Sequence, residues 1–218
     1  SGIIGGTGLG IAMISFIYSI TNTSAAITLL CLAAMPFFTA LLAFIFLKEH
    51  ISINVWISII IATIGIITMA FGNSGENSLV GFIFGLTSSI GFSVFSVTLR
   101  WRKETPKFTT VAFAGLFCFI FATIMILFKG QVFFSSSYNS SLFSLHGTLV
   151  CFGLILYSIG SKAIPAAELT LLSLTEVIGG IFWVWLPLFG INEVPDTNTI
   201  IGGFFLFMSL FYYSLITR

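Results

Sequence analysis

From Ile53 to Phe71 the chain runs without a single charged side chain. An apolar run of ~18 residues or more is long enough to cross the hydrocarbon core as a helix. Such runs recur along this sequence. Eight spans can be drawn: Gly2–Ile20, Ser24–Leu47, Ile53–Phe71, Leu79–Leu99, Thr110–Phe128, Leu145–Ile164, Ala166–Leu188 and Thr199–Ile216. Only 7% of residues are charged and 57% are hydrophobic, against about 25% charged in a soluble domain. A surface able to face water is excluded, so the fold class is an all-α polytopic membrane protein.

The basic residues orient these spans. Lys48 follows span two, Arg100, Arg102, Lys103 and Lys107 follow span four, Lys162 closes span six, and Arg218 follows span eight. All of them fall on one side of the membrane; Lys129, after span five, is alone on the other. The positive-inside rule assigns the basic side to the cytoplasm. The expectation is a multi-pass protein of the cell (inner) membrane with a cytoplasmic C-terminus. The basic loop reads as a topology determinant, not as a nucleic-acid site. No signal peptide is visible. Residue 1 is Ser and stands almost at the start of a helix, so the chain is expected to begin partway through a longer protein. Gly130–Ser144, rich in Ser and aromatics, is expected to be the longest loop.

Gly2, Gly6 and Gly10 recur every four residues in span one, and Gly81, Gly85, Ser89 and Ser93 repeat the device in span four. Small residues at this spacing let helices approach closely. Ser89, Ser93 and Ser96 also stand near one helix face, where they could line a polar cavity. Cys31, Cys118 and Cys151 are scattered singly in apolar runs and read as small packing residues, not as metal ligands.

Two regions share a pattern. The first runs from Thr23-Ser24-Ala25-Ala26 through Met35-Pro36 and Leu47-Lys48-Glu49 into a helix holding Trp56 and Gly65. The second runs from Ile164-Pro165-Ala166-Ala167 through Glu176-Val177 and Asn192-Glu193-Val194-Pro195 into a helix holding Gly202-Gly203. Span two ends on the basic side and span seven on the other, so the copies are inverted. Inverted repeats place a binding site at their interface near the midplane and rock one bundle against the other.

Those residues, with Ala34-Met35-Pro36-Phe37 and Phe46-Leu47-Lys48-Glu49, resemble the EamA repeats of the drug/metabolite transporter superfamily. The resemblance implies inverted five-helix repeats, ten helices in all, with both termini cytoplasmic. On that template residues 1–72 supply the last three helices of a first repeat and residues 78–217 a complete second repeat, with two N-terminal helices missing. Family members often carry Glu-Pro where this chain has Glu176-Val177, so a proline-induced kink cannot be assumed there.

Glu176 lies ten residues past Ala166, roughly 15 Å along the helix and hence near mid-bilayer. An acid at that depth is costly to keep: it reads as a protonated or hydrogen-bonded structural acid or, by default, as a functional group. It would take up and release a proton, or pair with a cationic group of the substrate. Trp183 is about two turns further on nearly the same face. It would wall the cavity above the acid, or join Trp185 in an interfacial aromatic belt. Tyr157 offers a hydroxyl to the same cavity. The expected substrate and coupling residues are therefore Glu176, Trp183, Tyr157, Ser89 and Ser93. Glu168 suits the dipole of its helix start, within sequence reach of Lys162. Glu49 and Glu193 read as solvated turn acids, Asn22 and Thr23 as a cap for span two, and His146 as an interfacial residue at the outer edge.

The expected function is secondary active transport of small organic metabolites, such as amino acids or nucleoside-like compounds, by alternating access, proton-coupled or by exchange. No phosphate-binding glycine loop is present, and no cofactor, metal or nucleic acid is expected. The partners are a small-molecule substrate, the lipid bilayer and, allowed by the sequence, a second copy in a homodimer. An intramembrane lipid-modifying enzyme would need a metal cluster or a nucleophile with its base, which the sequence lacks. A structural subunit of a larger membrane complex is the other alternative.

Overall fold

The computed structural model describes residues 1–23, 25–72, 79–101, 106–130, 136–186 and 197–216. These residues form α1 (Gly2–Asn22), α2 (Ala25–Leu32), α3 (Met35–Leu42) running into a π-helical turn (Ala43–Leu47), α4 (Ile53–Gly72), α5 (Leu79–Trp101), α6 (Lys107–Lys129), α7 (Ser137–Gly160), α8 (Ala166–Leu172), α9 (Leu174–Trp185) and α10 (Thr197–Ile216). The α2–α3 and α8–α9 pairs are each one rod with a break, so the described chain makes eight rods. Five stretches are long and apolar enough to cross a membrane: Gly2–Asn22, Ile27–Leu47, Leu79–Trp101, Phe108–Lys129 and Ser137–Gly160. Ile53–Thr68 and Ile200–Ile216 are shorter apolar stretches. The protein is a multi-pass membrane protein.

Three expectations are corrected. The sixth span begins at Ser137, not Leu145, so most of the supposed Ser-rich loop end is helix. Ser136 caps it by accepting a hydrogen bond from the Asn139 N–H at 3.2 Å. Ser141 and Ser144 then donate to the carbonyls of Tyr138 and Ser140, which satisfies their polarity within the helix. His146 consequently stands well inside α7 rather than at its edge. Asn22 and Thr23 close α1 instead of opening α2: Asn22 Nδ2 donates to the Tyr18 carbonyl at 2.7 Å, and Thr23 is the C-cap.

Association in lipid relies on close packing and interhelical hydrogen bonds, since lipid tails are as apolar as leucine. Here the glycines make that packing. A Cβ on Gly91 of α5 would stand 2.6 Å from the Gly8 carbonyl oxygen of α1, and one on Gly6 2.5 Å from Phe113 Cβ of α6. α1 thus lies pressed between α5 and α6. Gly65 does the same for α4 against α10, where a Cβ would come 2.6 Å from the Gly202 oxygen. Hydroxyls add cross-helix bonds: Ser88 to the Ala12 carbonyl at 2.8 Å and Ser209 to the Ser58 carbonyl at 2.7 Å.

Two large apolar cores and one small cluster result among the described residues. One joins Leu9, Phe95, Leu99 and Ala114 of α1, α5 and α6. The other joins Met35, Ile59, Leu171, Leu174, Val177 and Leu206 around the broken rods, α4 and α10. α7 is treated differently from α1. Phe143 is 71% and Leu149 63% exposed, and a Cβ on Gly147 or Gly153 would meet nothing within 4 Å.

Candidate functional site

The two broken rods meet at their breaks. α3 packs on α8 and α2 on α9, and Leu29, Leu32, Ala33 and Met35 share a core with Leu171, Leu174 and Val177.

The first break follows from Pro36. Proline has no N–H for the carbonyl four residues earlier, so the chain passes Ala33 and Ala34 in a tighter turn, with the Ala34 N–H on the Cys31 carbonyl at 3.2 Å. Ser93 Oγ of α5 reaches across to the Met35 carbonyl at 3.2 Å and also to the Ser89 carbonyl at 2.8 Å. Ser89 is fully buried nearby, and its Oγ has no partner among the described residues; the same holds for Thr39.

The second break forms without a proline. Ser173 is its pivot. Its Oγ donates to the Thr170 carbonyl at 2.7 Å, Thr175 Oγ1 donates to the Leu172 carbonyl at 2.9 Å, and the Glu176 N–H takes the Ser173 carbonyl at 2.9 Å. Side-chain hydroxyls that bond back onto the preceding turn bend helices, and here two do so in three residues. Ser173-Leu174-Thr175-Glu176 also has the spacing of a capping box, although Ser173 makes no side-chain cap bond.

The break puts Glu176 in the first turn of α9, where the helix dipole favours an anion. Its side chain is exposed, and no cation pairs with it among the described residues. On α7, Tyr157 turns its hydroxyl toward α5. That hydroxyl shares a 2.7 Å hydrogen bond with Ser96 Oγ. The Tyr157 ring packs edge-to-face on Phe92 at 5.2 Å and stacks on Phe95 at 5.9 Å, which fixes its direction. Phe92 touches both cores.

Tyr157 thus bonds Ser96 and packs on Phe92, whose ring also touches the core that holds Val177, the residue after Glu176. Ser93 and Ser89 lie at the α2–α3 break and are fully buried in helix packing. Trp183 is 55% exposed and packs edge-to-face on Phe182 at 6.4 Å, on the stripe of α9 that holds Glu176. The Trp185 side chain and Asn192–Pro195, with Glu193, lie outside the described residues, as do Arg102, Lys103 and Arg218.

Two acids are placed otherwise than expected. Glu168 accepts a hydrogen bond from the Tyr213 hydroxyl of α10 instead of pairing with Lys162. Glu49 is not merely solvated: it pairs with Arg100 at 3.2 Å, the only ion pair among the described residues. The sequence held a signal for that pair. Both residues end spans on the basic side, where few acids are available. Tyr213 had none, since the helix that holds it, Thr197–Ile216, carries no charged residue. Among the described residues no three His, Cys, Asp or Glu side chains gather to hold a metal.

Residues 1–71 match the EamA-like transporter family. The chain is 24% identical over 188 residues to the uncharacterized transporter YdfC of Bacillus subtilis (strain 168), covering 84% of this chain and 60% of that protein. It is 24% identical over 220 residues to an uncharacterized transporter of Clostridium kluyveri, covering 94% of this chain and 68% of that one. A third, of Helicobacter pylori, is 32% identical over 95 residues, 44% of this chain and 32% of that protein. The chain thus spans about 60% of the length of its Bacillus relative. A protein crystal structure at 16% identity superposes with a TM-score of 0.76 over 99% of this chain and 76% of that one, which shows that the fold is shared.

Proposed function

We propose that the chain, whose residues 1–71 match the EamA-like transporter family, is a drug/metabolite transporter of that kind that moves small organic metabolites across the membrane by alternating access. The single observation behind this is the crossing of two broken rods with an acid in the first turn beyond one break that has no ion-pair partner among the described residues. Discontinuous helices crossing near the midplane are how secondary transporters expose helix ends and free carbonyls to substrate and coupling ions. Glu176 is the group that binds the substrate's cationic part or exchanges a proton, with Tyr157 beside it and Trp183 further along the same face. Ser93 and Ser89 hold the opposing break in place. Amino acids and nucleoside-like compounds suit such a site. The function is transport, not catalysis.

The reading includes an inverted repeat of residues 1–72 and 78–217, with α1 related to α7, α2–α3 to α8–α9, and α4 to α10. Both rods in the related pair break about eight residues from an Ala-Ala start, which supports it. So does α7. α1 is covered by α5 and α6, whereas α7 is bare on the corresponding sides and carries His146 and several serines there. Two helices equivalent to α5 and α6 and preceding this chain would cover those polar groups, for a total of ten spans, eight of them here. The basic side and the C-terminus face the cytoplasm of an inner membrane. A homodimer in the bilayer completes the proposal.

The test is flux. Full-length protein in liposomes, given imposed pH and substrate gradients and a panel of radiolabelled amino acids and nucleosides, should accumulate or exchange at least one class. No flux of any solute under any gradient would sink the reading.

A further inference from the structure

Arg100, one residue from the end of α5, does more than add charge to one side of the membrane. Its Nε donates to Glu49 Oε1 at 3.2 Å, and its Nη1 donates to the carbonyls of Ser161 and Lys162, at 3.4 and 3.5 Å, just past the end of α7. The two side chains are only 15% and 24% exposed. A guanidinium can serve both directions at once because its donors form a rigid fork, and the open carbonyl end of a helix favours a cation.

The acid it holds is set on strained backbone. Glu49 follows Lys48, a non-glycine residue in the left-handed region at φ 53°, which closes the π-helical turn Ala43–Leu47. Left-handed non-glycine residues and π-turns persist where surrounding contacts over-determine them, and both recur at functional sites. Beneath the pair, Val97 of α5 packs on Ala43 of the π-turn and Ala166, the first residue of α8. Three rods and the end of a fourth therefore meet at this corner, held by one side chain.

We infer that Arg100, with Glu49 and the Ser161 and Lys162 carbonyls, is the latch that keeps the basic side of the transport pathway shut in this structure. Opening that side requires the α3 rod to part from α5, α7 and α8, and the Arg100 fork must release first. This rests on the alternating-access reading, but it can be measured without a substrate.

The reporter is Ser158→Cys, a fully buried α7 residue about one turn inside the latch, in full-length protein stripped of its other cysteines. A membrane-impermeant maleimide is supplied from the basic side. Arg100→Gln and Glu49→Gln should each raise the labelling rate about tenfold, as loss of a charged hydrogen bond implies. Combining them should add little, because they break one interaction. Arg100→Lys, which keeps the charge but loses the fork, should fall between and guards against misfolding of the Gln variants. Parent-like labelling in every variant that elutes as folded protein would overturn the latch. So would an Arg100→Lys equal to the parent alongside an Arg100→Gln inserted in inverted orientation, since Arg100 would then act only through its charge. A protein that transports nothing yet shows the predicted labelling pattern would sink the transport reading and leave the latch standing.

Discussion

Ser93 Oγ of α5 stands 3.2 Å from the carbonyl oxygen of Met35, the first residue of α3. One hydroxyl thereby ties α5 to one of the two rods that break. The same Oγ also reaches the Ser89 carbonyl within its own helix, so the tie is shared and its loss is moderate. Ser93→Ala should cost about 1 kcal/mol and lower the thermal midpoint by about 2–4 °C, read by differential scanning fluorimetry in detergent. An unchanged midpoint would show that the break is held by packing alone.

The glycine contacts give a sharper contrast. Gly91→Val should prevent α1 and α5 from closing, because the added carbons meet the Gly8 oxygen and the Ala12 nitrogen, which are backbone and cannot step aside. Overpacking typically costs about 1–3 kcal/mol and occasionally more; the expected result is loss of the monodisperse peak on size exclusion. Gly115→Val on α6, where nothing lies within 4 Å, should elute like the parent.

Tyr157 and Ser96 share one hydrogen bond, so their variants should not add. Tyr157→Phe and Ser96→Ala are each expected to lower transport severalfold, and the double variant to be no worse than the poorer single one. The coupling should be about 0.5–1.5 kcal/mol. Fully additive losses would separate Tyr157 from the serine and weaken its assignment to the site.

Glu168 supplies the matching structural control. Its partner is the Tyr213 hydroxyl, between α8 and α10. Tyr213→Phe should lower the thermal midpoint by about 2–4 °C, as loss of about 1 kcal/mol implies, while transport per folded molecule stays at the parent level. A selective loss of transport would move Glu168 from scaffold to pathway.

The rods were legible in the sequence because hydropathy alone selects segments that survive in lipid: Gly2–Asn22, Ile53–Gly72 and Thr197–Ile216 start or end within about two residues of the drawn spans. The first turns of α7 were not, since serines that bond back onto their own helix look like loop residues to a hydropathy reading. The α2–α3 break carries a printed cause in Pro36. The α8–α9 break does not: it arises from Ser173 and Thr175 hydroxyls competing for carbonyls, and their direction depends on rotamers that sequence does not encode. For the candidate site, Glu176 was visible as a lone acid in an apolar run. The joining of Tyr157 to Ser96 and Phe92 needed the packing of α5 and α7, which depends on contacts far apart in the chain. Arg100 was read as loop charge because topology rules count basic residues without asking what they touch.

The most direct measurement is proton-dependent flux through full-length protein carrying Glu176→Gln, reconstituted in liposomes beside the parent. Glutamine keeps the size and removes the titrating, negatively charged group. The account predicts that the variant folds with a near-parent thermal midpoint, loses at least tenfold in uptake or exchange, and no longer responds to external pH. Parent-level flux with the same pH response would contradict the assignment of Glu176 and with it the central claim.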